Sequence, residues 1–260
     1  MTLRHFAGSA LEDTPLEGPF LRTLVTLFRA PGRLTADYIA GRRRPYLSPF
    51  RVYLLISLVF FLIQPHTGLF RYSLAEYETL PFFGDHPNTM VEHELQRTGE
   101  TRASYEERFN RALAPQKKTM MVFMVPMLAF GLMPFFRRRH YSEHLVYSIH
   151  YFAALLLYMG VLLQVFFKLL IIPLRYGGQW WPAQMQSLAN VLFGEGALTL
   201  TIAVPAVWYL RKAAMLTYNA TARRATIAAI FVFVWQMLLL VFFYRMSLFF
   251  TTFYSLKWLS

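Results

Sequence analysis

Five long apolar stretches, residues 49–63, 119–136, 144–173, 188–210 and 225–250, restrict this chain more than any motif in it. Lipid offers no hydrogen-bond partner to a bare backbone, so apolar segments cross a bilayer as helices, and about 20 residues span its ~30 Å hydrocarbon core. Only 15% of the 260 residues are charged while 56% are hydrophobic, which is too apolar for an ordinary water-soluble domain. The expected fold is all-α: a multi-pass membrane protein of five transmembrane helices with amphipathic amino-terminal helices.

The first stretch, FRVYLLISLVFFLI, is short for a span, and the distribution of charge decides its role. Residues 1–48 carry Arg4, Arg22, Arg29, Arg33, Arg42, Arg43 and Arg44. The links 137–143 and 211–224 hold Arg137, Arg138, Arg139, Arg211, Lys212, Arg223 and Arg224. Cytoplasmic segments are enriched in Lys and Arg. The loop 65–118 instead balances seven Lys/Arg against eight Asp/Glu, as expected outside. Both basic links fall inside only if 49–63 crosses. The expected placement is therefore the bacterial inner membrane, with the amino end cytoplasmic and the carboxyl end periplasmic. Residues 1–48 form a cytoplasmic segment, and residues 49–260 a five-span domain with the outer loop 65–118. No cleavable signal peptide is read ahead of the first span, because that segment is polar and arginine-bearing.

Within the amino-terminal segment, Phe20, Leu21, Leu24, Leu27 and Phe28 share one helical face, the chain breaks at Pro31-Gly32, and a second short helix follows. Two placements fit this pattern: helices lying in the membrane surface, with Arg42, Arg43 and Arg44 on lipid headgroups or a partner, and helices packed on the cytoplasmic ends of the spans. In the outer loop, 90–113 reads as a polar helix bounded by Pro87 and Pro115.

The PG turn at Pro31-Gly32, the run Tyr38-Ile39, Gly41-Arg42-Arg43 leading into Tyr46 and Pro49, and the Glu143-His144 pair opening a later stretch together resemble an uncharacterised bacterial integral-membrane family, domain of unknown function 3667. The resemblance implies a membrane location and no known activity. Many members begin with a cysteine-rich zinc ribbon; this chain has no cysteine, so nothing about metal at the amino end carries over. The plan is also similar, in architecture alone, to Yip-type membrane proteins.

The absence of cysteine excludes disulfides, iron–sulfur clusters and thiol catalysis. The segment HYSEH at 140–144 matches the H-x-x-E-H spelling of one class of zinc peptidases. On a helix, His140, Glu143, His144, Tyr147, His150 and Tyr151 form one polar stripe about a third of the circumference wide. A peptidase needs a third, acidic ligand, and Glu195 is the one acid after Glu143. It belongs near the outer end of the fourth span, whereas His144 belongs at the inner end of the third. A di-iron oxygenase needs about eight cytoplasmic histidines; the chain has seven in all, with His66, His86 and His93 outside. A smaller metal site on His140, Glu143, His144 and His150 stands as the remaining metal alternative. The favoured reading makes the stripe an interfacial polar cluster, solvated in the headgroup layer because the third stretch exceeds the hydrocarbon thickness. There Glu143 docks the arginines of the amino-terminal segment or a lipid headgroup, with no metal and no cofactor.

Lys168 and Glu195, each about a turn or two in from the outer end of its span, are expected to form an intramembrane ion pair, since a lone charge in hydrocarbon is costly. Gly-rich phosphate loops, a nucleophile elbow and paired catalytic carboxylates are absent, and the Arg runs are read as topology signals rather than nucleic-acid sites. The expected function is non-enzymatic engagement of membrane lipids or of a protein partner. The alternatives are a small-solute transporter or channel using the Lys168/Glu195 region, and a lipid-headgroup enzyme at His140–His150.

Overall fold

The computed structural model describes residues 18–63, 73–78, 86–163 and 195–259, and every regular element among them is helical. In chain order these are α1 (Pro19–Arg29), α2 (Arg33–Ile39), α3 (Pro49–Ile63), α4 (Leu74–Glu78), α5 (His86–Thr98), α6 (Arg102–Leu132), α7 (Tyr141–Leu157), α8 (Glu195–Tyr218), α9 (Ala222–Leu238) and α10 (Arg245–Leu259). A π-helical turn, Tyr158–Leu163, extends α7, and another, Leu239–Tyr244, joins α9 to α10. Two compact units result: residues 1–63 with 128–235, and residues 64–127 with 236–260.

The first unit contains the amino-terminal hairpin. Helix α1 starts with proline at its first position, where the missing N–H costs nothing. Thr23 ties the hairpin together: its hydroxyl donates to the Pro19 carbonyl at 2.5 Å and accepts the Leu47 N–H at 3.0 Å. The turn into α2 passes through Gly32, whose φ of 85° is left-handed. A Cβ there would lie 2.6 Å from Ala213 Cα and 2.8 Å from its carbonyl oxygen, so glycine also permits a close backbone approach of the hairpin to α8. Helix α2 packs on α7 and α8, and α3 lies along α7. Val52, Tyr53, Ile56 and Phe60 of α3 are buried, with Phe60 seated against Gly160. On α8, Ala206, Leu210, Ala213, Ala214 and Thr217 are buried at helical spacing. The small residues of that face let its neighbours come close. Leu27 and Thr23 of α1 are buried while Leu21 and Val25 stay exposed, so the hairpin lies on the bundle through part of its apolar face.

The second unit has an aromatic centre. The rings of Tyr77, Phe109 and Phe249 lie 5.5 to 6.5 Å apart, among buried Leu74, Val91, Leu113, Phe253 and Leu256. Gln116 gives it a polar clasp: its side-chain oxygen accepts from Thr251 at 2.6 Å and Thr252 at 3.2 Å, and its amide donates to Ser255 at 3.2 Å. Here the helix boundaries differ from the sequence reading. The polar helix of the loop ends at Thr98, with Gly99 at a φ of 68°, and Thr101 then starts α6, which runs through Pro115 into the second apolar stretch. Glycine past the last turn is the stronger stop; Pro115 removes one backbone donor from a solvent-exposed turn, which water at the freed carbonyl makes tolerable.

Among the described residues one helix is long and apolar enough to cross a membrane, the continuous 37-residue run Ala222–Trp258. Helix α3 is apolar but has 15 residues. Both leave large apolar side chains uncovered: Phe50, Leu54, Leu58 and Leu62 on α3, and Ile227, Ile230, Phe231, Val234 and Leu238 on α9.

Candidate functional site

Three polar groupings in the first unit organise its chemistry. The first lies within the hairpin. Asp37 is 3% exposed and accepts from Arg33 Nε at 3.1 Å, from Arg42 at 2.6 and 3.0 Å, and from the Tyr46 hydroxyl at 3.3 Å. Burial alone raises its pKa, but the hydrogen bonds and charges of Arg42 and Arg33 outweigh that and hold the carboxyl below its ordinary value. Arg43 stacks over the Tyr38 ring at 4.5 Å. The arginines after Gly41 thus close the hairpin, while Arg42, Arg43 and Arg44 remain largely exposed.

The second grouping is the stripe of α7, and the structure corrects the solvated picture for most of it. His144, Tyr147 and His150 are 1%, 1% and 2% exposed. The hairpin and α8 cover that face, so its polar atoms turn to protein partners rather than water. Thr35 Oγ1 and His150 Nδ1 share a hydrogen bond of 2.9 Å, His144 Nδ1 and the Tyr218 hydroxyl one of 2.8 Å, and the Tyr147 hydroxyl donates to the Leu210 carbonyl at 2.6 Å. Thr217 donates to the Gly32 carbonyl at 3.4 Å. Glu143 and His140 lie at the rim, where Glu143 pairs with Arg139 at 3.4 Å rather than with Arg42–Arg44. The reason is position: Arg139 is one helical turn away, whereas Arg42 is already committed to Asp37.

The third grouping is the link between α6 and α7. Arg137, Arg138, Arg139 and Arg224 surround a cavity of about 580 Å³ that is completed by Pro134, Phe136 and Tyr218. A second cavity of about 320 Å³ shares Pro134, Arg137 and Arg139 and is walled by Phe130, Met133 and His144. Arg224 is fixed by donation to the Phe135 carbonyl and by stacking over Phe136, whose ring lies 4.2 Å from that of Tyr218.

Of the residues singled out in the sequence, the structure brings together His144, Tyr147 and His150 and leaves His140 and Glu143 at the edge. Lys168 lies outside the described residues; Glu195 opens α8, but its side chain is not among those described, so their pairing lies outside the described residues as well. Among the described residues no three His, Cys, Asp or Glu side chains are grouped to hold a metal ion. Sequence reasoning missed Thr35, Asp37, Thr217 and Tyr218 as partners and used Arg224 only as a topology marker. The i, i+4 spacing of Arg33 and Asp37 was a readable signal; the Thr35–His150 and His144–Tyr218 contacts left none.

The described architecture is that of an all-helical protein with at least one helix suited to a bilayer. Residues 17–61, which take in the hairpin and most of α3, match the family model described as a protein of unknown function, DUF3667. No curated protein and no solved structure matches the chain.

Proposed function

We propose that this is a five-span bacterial inner-membrane protein, amino end cytoplasmic and carboxyl end periplasmic, that acts as a non-enzymatic module engaging membrane lipid or a protein partner through its cytoplasmic face. The observation that carries this reading is the apolar surface left uncovered on α3 and α9. Ile227, Ile230, Phe231, Val234 and Leu238 recur at helical spacing on a 37-residue apolar run that the rest of the chain mostly leaves unburied. In water such a surface would be costly, and in lipid it is the expected exterior. Added to it is the clustering of arginines at the 133–140 link, the side that the positive-inside rule assigns to the cytoplasm. The test is a pair of phosphatase fusions that report periplasmic exposure. A fusion near residue 100 is expected to be active and one near residue 218 inactive; the reverse pattern overturns the topology.

A further inference from the structure

We infer that the 133–140 link and the amino end of α7 form a binding site for a phosphate-bearing anion. A topology marker requires only charge, yet these arginines wall two adjoining cavities. The larger, at about 580 Å³, falls in the range of small-ligand pockets, about 300–1,000 Å³. Guanidinium groups present paired N–H donors matched to phosphate oxygens. Arg139 is engaged by Glu143 and Arg224 by the Phe135 carbonyl, whereas Arg137 and Arg138 have no ion pair among the described residues. The site therefore keeps two uncommitted guanidiniums beside two positioned ones.

A second, independent observation points to a ligand. His144 is 1% exposed and lines the smaller cavity; its Nδ1 is taken by Tyr218, and its Nε2 makes no hydrogen bond of full geometry, the Phe136 backbone offering the ring a weak one. A buried ring nitrogen so poorly satisfied is uncommon and costly, and an anion oxygen in the cavity completes its hydrogen bonding. The start of α7 has no side-chain hydrogen bond from its cap His140, and the acid in its first turn, Glu143, is paired with Arg139. Phe136, Tyr218 and Phe130 supply apolar walls for the portion of the ligand beyond its phosphate.

The inference deepens the membrane reading and rests on it only for the lipid as a source of phosphate. Binding in detergent micelles does not depend on how many spans the chain has, and the fusion experiment does not depend on this site, so each can fail alone. The experiment titrates the purified full-length chain, in a nonionic detergent, with inorganic phosphate and with short-chain phosphatidic acid by calorimetry. Saturable binding of at least one probe is expected, weakened at least about tenfold in Arg137→Gln/Arg138→Gln, since a charge-assisted hydrogen bond is worth about that factor or more. Arg137→Lys/Arg138→Lys should recover part of the affinity. Binding of both probes assigns the shared phosphate chemistry; binding of phosphatidic acid alone makes the lipid the source, and of phosphate alone a soluble ion. Both arginines are exposed, so the double variant should elute as the parent does. Absence of saturable binding of either probe, or equal affinity in parent and double variant, overturns the inference.

Discussion

Thr35 Oγ1 and His150 Nδ1 lie 2.9 Å apart inside the first unit, although 115 positions separate them in sequence. The contact locks the amino-terminal hairpin onto the middle of α7, and both side chains are within a few per cent of complete burial. Thr35→Val removes the hydroxyl while keeping its volume and leaves the imidazole nitrogen stranded, at a cost of about 1–3 kcal/mol. His150→Leu strands the hydroxyl instead. The double variant should lose less than the sum of the two, as measured by unfolding of the detergent-solubilised chain; strict additivity would show that the contact carries no coupling energy.

Glycines 32 and 41 offer a controlled comparison, because both have left-handed φ values, 85° and 82°. Only Gly32 also abuts the Ala213 backbone; nothing lies within 4 Å of a Cβ placed on Gly41. Gly41→Ala should cost about 1–2 kcal/mol, the conformational term alone. Gly32→Ala should cost distinctly more, because the hairpin must separate from α8, and folded yield on size exclusion should fall accordingly. Equal losses would place the constraint in the turn and not in the packing.

Acid sensitivity of the hairpin should follow Asp37. Its folded pKa is lowered relative to the ordinary 3.8, so its contribution to stability is full above that value and disappears as pH falls through the lower, folded value. Stability measured from pH 7 down to below 4 should therefore show an acid loss that Asp37→Asn flattens, with the variant already weaker at neutral pH. An unchanged acid limb in Asp37→Asn would assign the loss to other carboxylates.

Proteolysis near residue 42 separates two carboxylates. Asp37→Asn should accelerate cleavage, because Arg42 and Tyr46 lose their acceptor. Glu143→Gln should not, since its partner is Arg139 and a rim ion pair contributes about 0–1 kcal/mol. Faster cleavage in Glu143→Gln than in Asp37→Asn would restore the docking of the arginine run on the α7 stripe.

Elemental analysis of the purified chain should show no stoichiometric zinc or iron. Among the described residues no three His, Cys, Asp or Glu side chains are grouped to hold a metal ion, and zinc held by fewer than three protein ligands is weakly retained. One tightly bound metal per chain, lost in His144→Ala, would overturn this and return the stripe to catalysis.

By itself the sequence determined that the chain is helical and where the hairpin breaks. The long apolar runs in α8 and α9 and the Pro31-Gly32 break between α1 and α2 are local properties, and each acts on the backbone within a few residues of itself. Boundaries were less legible: α6 continues through Pro115 because an exposed helix turn tolerates one missing donor, and α8 runs on to Tyr218 through Arg211 and Lys212, which read as part of a basic link. Tertiary structure alone decided the state of the polar stripe. From sequence, His144, Tyr147 and His150 sit at a helix end and belong in the headgroup layer; in the fold Thr35 and Tyr218 arrive from 115 and 74 positions away and exclude water from that face. It also decided that Arg137, Arg138, Arg139 and Arg224, legible only as charge, line a cavity beside a poorly satisfied histidine nitrogen. A hydrogen bond depends on donor and acceptor meeting at about 3 Å. Helical periodicity places a side chain on a face, but the neighbour that covers the face is chosen by packing across the whole chain.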